Sequence, residues 1–260
     1  MTYSLYDYLF FFAIYSFLGW CCEVCFCSID TGKFVNRGFL NGPVCPIYGF
    51  GMVIILFCLT PLQENIFILF AGAFILTTLL EGVAGWALKV IFHTSWWDYS
   101  DMPFNIGGYV CLKFSILWGF AACFVVRLIH PLIYGIMGIF SQSIGNIILW
   151  VIFITLAVDT IVTVFTVANL NHDLGKLREL AQRLRDSSEK MAEKLGNSAI
   201  GIDAKRNLSK LDNQARLDIA KAELLDKKAF GRRRLLKAFP NMKHDGFDDM
   251  IKELHEKYSK

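Results

Sequence analysis

The scarcity of charge over the first two thirds of the chain restricts its fold more than any other feature. Residues 1–170 contain only five Lys or Arg and eight Asp or Glu residues. A helix needs about 20 mostly apolar residues to cross the roughly 30 Å hydrocarbon core of a bilayer. We expect helices in all such stretches, because unpaired backbone groups cannot face lipid. Five stretches reach or approach this length, at residues 6–27, 45–62, 66–88, 108–128 and 144–170.

These stretches predict an all-α fold, a polytopic membrane helix bundle of about five spans. Residues 1–170 form the predicted transmembrane domain. Residues 171–260 hold the remaining 21 basic and 15 acidic residues and are predicted to form a charged helical tail in the cytoplasm. Acids are interspersed with the bases throughout this tail, so we expect no nucleic acid as a partner. The partner expected from the apolar spans is the lipid bilayer.

The positions of Lys and Arg predict the orientation. Lys33 and Arg37 follow the first span and Lys89 follows the third, so the positive-inside rule puts both loops in the cytoplasm. The N-terminus then lies outside the cell membrane and the C-terminus lies in the cytoplasm. The segment 131–140 is too short to span, and we interpret it as interfacial or re-entrant. If it crosses, the N-terminus lies inside instead.

Two polar loops, residues 28–47 and 89–107, do not look like simple connectors. One interpretation is a pair of interfacial turns, with Trp96, Trp97 and Tyr99 in the aromatic belt. The other is irregular backbone that is buried in protein or lines a cavity, which the Gly, Pro and Asn residues favour. Each loop contains Asn-X-Gly and follows a span with one glutamate, a pattern that suggests a parallel internal duplication.

Ionisable residues at membrane depth are the more specific signal. Each costs about 2.5–3.5 kcal/mol at a helix centre, so such groups usually pair with one another or line a polar path. Glu23 and Glu81 fit either a structural ion pair or a substrate site, whereas Asp159 lies in mid-span and is expected inside the bundle. The candidate polar path joins these acids to polar residues of both loops and comprises Glu23, Asn36, Arg37, Glu81, Asp98, Asp101, Asn105 and Asp159.

Several chemical motifs are missing from the sequence. There is no GxxxxGK[ST], HExxH or GxSxG pattern, and the cysteines lack repeated zinc-ligand spacing. We therefore expect no cofactor and no metal. If transport is driven by ATP, a separate ATPase subunit supplies the hydrolysis.

A basic segment near the C-terminus suggests contact with the membrane surface. Its cations would meet anionic headgroups while its apolar side chains lie against the bilayer. The cations are Arg232, Arg233, Arg234 and Lys237, and the apolar residues are Leu235, Leu236 and Phe239.

Three runs of residues resemble a known bacterial family, the "putative ABC-transporter type IV" or CmpB-like proteins. They are NRGFLNGPVCPIYGFG at 36–51, WWDYSDMPFNIGG at 96–108 and RRLLKAFPNMK at 233–243. The resemblance covers nearly the whole chain. It implies a multi-pass membrane protein with a permease role, and it carries over no substrate or mechanism.

Two main functions remain open at this stage, with a membrane scaffold whose tail recruits partners as a third option. The first is a permease-like transporter, with a separate ATPase or a second copy of the chain as candidate partners. The alternative is an intramembrane enzyme that acts on a lipid or lipid-linked substrate at the cytoplasmic interface. In that enzyme Glu23, Asp98 or Asp101 would act as acid or base and Arg37 would hold a phosphate, so Arg37, Asp98 and Glu23 would have to meet. We favour transport over catalysis.

Overall fold

The computed structural model describes residues 3–138, 141–194, 213, 216, 220, 229–244 and 251–252. Over these residues the chain is mostly helical, which confirms the predicted fold class in its main part. The helices are α1 (Leu5–Thr31), α2 (Pro46–Leu59), α3 (Ile66–Phe92), α4 (Leu112–Phe124), α5 (His130–Met137), α6 (Gln142–Lys194) and α7 (Ala229–Ala238).

Within the described ranges, four helical segments are long and apolar enough to cross a membrane. They are Leu5–Ile29, Ile66–Phe92, Leu112–Met137 and Gln142–Leu184. A fifth apolar helix, Pro46–Leu62, is shorter and consists of α2 followed by a single 3₁₀ turn. The number of spans therefore stays a prediction.

The structure corrects the interpretation of residues 131–140 as a separate interfacial piece. A π-helical turn over Val125–Ile129 joins α4 to α5, so residues up to Met137 continue one apolar helix. Pro131 explains the turn, because proline donates no N–H and its ring collides with a carbonyl of the preceding turn. The wider π turn before it accommodates the ring, and the His130 N–H donates to the Val125 carbonyl five residues earlier. Residues 139 and 140 lie outside the described residues.

In the part of the chain that the structure describes, four two-residue strands add short sheets that the sequence analysis did not predict. β1 (Thr94–Ser95) pairs antiparallel with β4 (Lys243–His244), and β2 (Asn105–Ile106) pairs antiparallel with β3 (Val110–Cys111). The first sheet brings a C-terminal segment onto the second polar loop. The second sheet closes that loop on itself.

The chain divides into two compact units, one of residues 1–163 with 235–260 and one of residues 164–234. This division does not coincide with the boundary predicted at residue 170, which stays a prediction. The first unit has an apolar core in which side chains of α1 to α4 and of the π turn pack together: Phe11, Tyr15, Met52, Ile55, Leu56, Leu59, Leu69, Ala73, Ala122, Cys123 and Val126.

The basic C-terminal segment does not lie as predicted. Leu235 and Leu236 are 1% and 2% exposed, so they are buried in the protein and cannot lie against lipid. Phe239 packs edge-on against Trp96, with 5.0 Å between the ring centroids. In the second unit Arg232 is 4% exposed and pairs with Asp173 at 2.7 Å. A buried guanidinium must be paired with an opposite charge, and here the partner is a protein carboxylate and not a lipid headgroup.

Candidate functional site

The first polar loop is folded around Asn36. Its amide oxygen accepts hydrogen bonds from the Trp20 indole at 2.7 Å and from the Gly38 N–H at 3.2 Å. Its amide nitrogen donates to the Asn41 carbonyl at 2.8 Å. Asn36 therefore shapes the loop, and its place in a polar path stays a prediction.

Asp159 anchors the same loop to α6. Its carboxylate accepts from the Asn41 N–H at 3.1 Å, the Asn41 side-chain amide at 2.9 Å and the Gly42 N–H at 2.7 Å. A Cβ at Gly42 would lie 3.2 Å from Asp159 Oδ2, so glycine allows this close approach. The Asn41 amide also donates to Thr163 at 3.0 Å. The charge of Asp159 is thus satisfied mainly by loop N–H groups.

Asn105 organises the second polar loop as Asn36 organises the first. Its amide nitrogen donates to the Ser100 and Met102 carbonyls at 3.1 and 2.8 Å, and its oxygen accepts from the Gly108 N–H at 3.2 Å. The repeated Asn-X-Gly pattern therefore marks two asparagines with similar local roles. The internal duplication that it suggests stays a prediction.

Asp98 lies on the second loop and has its own partners. It accepts from the Ser100 N–H at 2.9 Å and from the Ser100 hydroxyl at 2.5 Å, and it pairs with Lys243. Burial alone would raise the pKa of Asp98, but the hydrogen bonds from Lys243 and Ser100 and the charge of Lys243 lower it from 3.8 to about 2. Asp101 is exposed and makes no hydrogen bond or ion pair with a described residue.

We expect Asp98→Asn to remove part of the acid sensitivity of the protein. The folded pKa of Asp98 lies below its unfolded value of about 3.9, so the carboxylate stabilises the fold above pH ~4 and this contribution disappears as the pH falls toward 2. The thermal unfolding midpoint in detergent should therefore fall less steeply for Asp98→Asn than for the native chain between pH 4 and 2. Asp101→Asn is the matched control and should keep the native slope. Equal slopes for the native chain and Asp98→Asn would contradict the assigned ion pair.

Glu23 on α1 meets residues of the first loop and α2. The Tyr48 hydroxyl donates to Glu23 Oε1 at 2.5 Å, and Arg37 Nε lies 3.3 Å from Glu23 Oε2. The Arg37 guanidinium also lies over the Phe26 ring, 5.8 Å from its centroid. Glu23 and Arg37 side chains are 26% and 33% exposed, so this ion pair is only partly shielded.

Glu81 on α3 is more deeply buried, at 9% exposure. The Tyr99 hydroxyl donates to Glu81 Oε1 at 3.2 Å, while Glu81 Oε2 is buried and has no hydrogen-bond partner among the described residues. Burial and the adjacent Glu81 charge raise the pKa of the Tyr99 phenol, which keeps it a donor. Glu81 also interacts with the Trp118 side chain and lies within electrostatic range of Glu23.

These side chains form one group in the first unit, which we call the carboxylate cluster. Tyr48 and Trp118 connect its two acids, with ring centroids 5.6 Å apart in an edge-on arrangement. The cluster draws on four helices and both polar loops. Its members are Glu23, Arg37, Tyr48, Glu81, Tyr99 and Trp118.

The two polar loops also meet each other through aromatic side chains. Phe39 of the first loop packs edge-on against Trp96 of the second at 5.0 Å between centroids, and Trp96 is 4% exposed. The Trp97 indole donates to the Tyr109 carbonyl at 2.8 Å. The geometry favours irregular backbone packed within protein over a simple interfacial aromatic belt.

Of the predicted site residues, the structure brings Glu23, Arg37 and Glu81 together. Asn36, Asn105 and Asp159 hold the loops in place. Among the described residues, no hydrogen bond or ion pair joins the side chain of Asp98 or Asp101 to a side chain of the carboxylate cluster. The sequence analysis missed three donors as site residues. Tyr48 and Tyr99 stand within the family-like runs, which was the available signal, while Trp118 carried none.

The described residues contain no group of three or more His, Cys, Asp or Glu side chains that could hold a metal ion. Four described helices that are long and apolar enough to cross a membrane, together with acids held among them, are the features of a helical membrane protein.

The chain belongs to the family described as Putative ABC-transporter type IV, whose model matches residues 10–164. This confirms the resemblance found in the sequence. The matched region contains both polar loops and the whole carboxylate cluster. Comparisons with curated proteins and with solved structures found no match.

Proposed function

We propose that the chain is the membrane subunit of a transporter and that the carboxylate cluster is the polar site of its transport path. The observation that carries the proposal is the convergence of Glu23 and Glu81 from two different helices, together with the unpartnered Oε2 of Glu81. Burying an acid within a membrane helix costs free energy, and acids that are retained there commonly mark substrate or ion pathways. The family description supports transport as the general class.

The basic residues of the two polar loops support the proposed orientation. Lys33 and Arg37 follow α1 and Lys89 lies in the last turn of α3, so both polar loops carry the positive charge expected of the cytoplasmic side. The N-terminus then lies outside, and Arg37 lies on the cytoplasmic side of the carboxylate cluster. An ATPase subunit would dock on this side.

The intramembrane enzyme is the weaker hypothesis. It requires Arg37, Asp98 and Glu23 to meet at one site, and only Arg37 and Glu23 do so, at 3.3 Å. Asp98 is engaged by Lys243 and Ser100 on the other loop. The carboxylate cluster therefore does not include Asp98, which the enzyme hypothesis needs beside Arg37 and Glu23.

A flux experiment in proteoliposomes tests transport directly. Purified full-length protein would be exposed to concentration jumps of a panel of inorganic ions, amino acids, amines and organic acids, with currents recorded on a supported membrane. We expect at least one solute to give a current that is lost in Glu81→Gln and retained in Glu64→Gln, since Glu64 is exposed in the loop before α3. Currents no greater than those of empty liposomes across the panel, with and without a copurified ATPase and ATP, would contradict the proposal.

The ABC arrangement has a separate test. Gentle purification of the tagged full chain from its own membranes should recover a nucleotide-hydrolysing subunit in a fixed ratio. Repeated recovery of the chain without ATPase activity, from preparations that still show flux, would exclude the ABC arrangement and leave transport intact.

A further inference from the structure

The carboxylate cluster has an unbalanced charge. Arg37 pairs with Glu23. Glu81 interacts with the Tyr99 and Trp118 side chains and feels the like charge of Glu23, and none of these three is a cation. With both acids ionised, the cluster carries a net charge of −1. Burying an isolated carboxylate is so unfavourable that such groups are either paired or neutralised.

The hydrogen bonds show which atom lacks a partner. The Tyr99 hydroxyl donates to Glu81 Oε1, so this oxygen acts as an acceptor. Oε2 of the same carboxyl is buried and accepts no hydrogen bond from a described residue. A carboxylic acid has the same asymmetry, with one carbonyl oxygen that accepts and one oxygen that carries the proton.

A metal cation fits this atom less well than a proton. Hard cations such as Ca²⁺ take about 6–8 oxygen ligands. The described residues offer no group of three or more acidic, His or Cys side chains for a metal. One proton instead brings the cluster to zero net charge and needs only the single free oxygen.

We propose that Oε2 of Glu81 is a proton-binding site, and that the transporter exchanges this proton with water past Glu23 and Arg37. The step is the addition of a water-derived proton to the carboxylate, which gives a neutral carboxylic acid and leaves hydroxide in bulk solvent. Side chains from five elements form the site around Glu81: Glu23 from α1, Arg37 from the first loop, Tyr48 from α2, Tyr99 from the second loop and Trp118 from α4. Only Glu23 among these opposes a negative charge on Glu81.

The inference deepens the proposed transport function and rests on it for the use of the proton, but proton binding is measured without transport. Infrared spectra of the purified full chain, labelled with ¹³C-glutamate and reconstituted in lipid, report the carbonyl stretch of protonated glutamic acids. At neutral pH we expect a band from one buried acid that is lost in Glu81→Gln and unchanged in the exposed control Glu64→Gln. Transfer to D₂O should shift the band, because the proton exchanges with water.

Tyr99→Phe keeps the test decisive if Glu81→Gln fails to fold. It removes the donor to Oε1 and should move the band to higher frequency without abolishing it. The absence of any such band in the native chain at neutral pH would overturn the assignment, and so would a band that persists in folded Glu81→Gln. A band without solute flux would support the proton site while contradicting transport, and flux without the band would do the reverse.

Discussion

Gly49→Ala is expected to destabilise the protein by disrupting the packing of α2 against α1. A Cβ at this position would lie 2.6 Å from the Phe12 carbonyl oxygen and would collide with Ser16 Oγ on α1. The carbonyl belongs to the α1 backbone, so the whole helix must move to make room. Overpacking of this kind costs about 1–3 kcal/mol or more, against a gain of about 0.5–1 kcal/mol from replacing a helical glycine.

The measurement is the thermal unfolding midpoint of the purified full chain in one detergent. A net loss of about 2 kcal/mol corresponds to a fall of roughly 4–8 °C for a protein of about this size. Gly135→Ala is the matched control in α5, since a Cβ there meets nothing within 4 Å. We expect its midpoint to be unchanged or slightly higher. A Gly49→Ala variant as stable as Gly135→Ala would mean that α1 and α2 do not pack in the described way.

Asp159→Ala is expected to release the first polar loop from α6. The N–H groups of Asn41 and Gly42 would both lose their acceptor, while the Asn41 amide would keep Thr163. Hydrogen bonds to a charged group contribute about 1.5–3 kcal/mol each, and an unsatisfied donor costs about 1–3 kcal/mol, so the summed loss should exceed about 2 kcal/mol. Hydrogen exchange of the Asn41 and Gly42 amides should accelerate together with a lower unfolding midpoint.

Two variants separate this anchoring role from a general effect of charge. Asp159→Asn retains one acceptor oxygen and should lose less stability than Asp159→Ala. Asp186→Ala removes an exposed acid from the same helix and should have little effect. If Asp159→Ala keeps native stability and loop protection but abolishes flux, Asp159 belongs to the transport path, as the sequence pattern first suggested.

The acids of the predicted polar path have two different roles in the structure, because acids of the same chemistry have different neighbours. Glu81 and Asp159 are both acids within long apolar helices. Asp159 is satisfied by backbone N–H groups of a loop 117 or 118 residues away, whereas Glu81 retains an unpartnered oxygen. Nothing in the local sequence distinguishes these outcomes, since each depends on which distant loop folds over the helix.

The basic C-terminal segment illustrates the same limit. Its alternation of cations with Leu and Phe is typical of a helix at a membrane surface. The structure instead pairs Lys243–His244 with Thr94–Ser95 and buries Leu235 and Leu236. An amphipathic pattern specifies that one face is covered, and it does not specify whether lipid or protein covers it.

Local sequence determined the helical membrane body, because apolar length and the need to satisfy backbone hydrogen bonds act within each segment. It also marked Glu23, Glu81 and Asp159 as costly groups that require partners. Only the tertiary structure decided which partners they have. Hydrogen bonds and ion pairs act over a few ångströms, and the packing of α1 to α4 and the two loops decides which distant side chains come within that range.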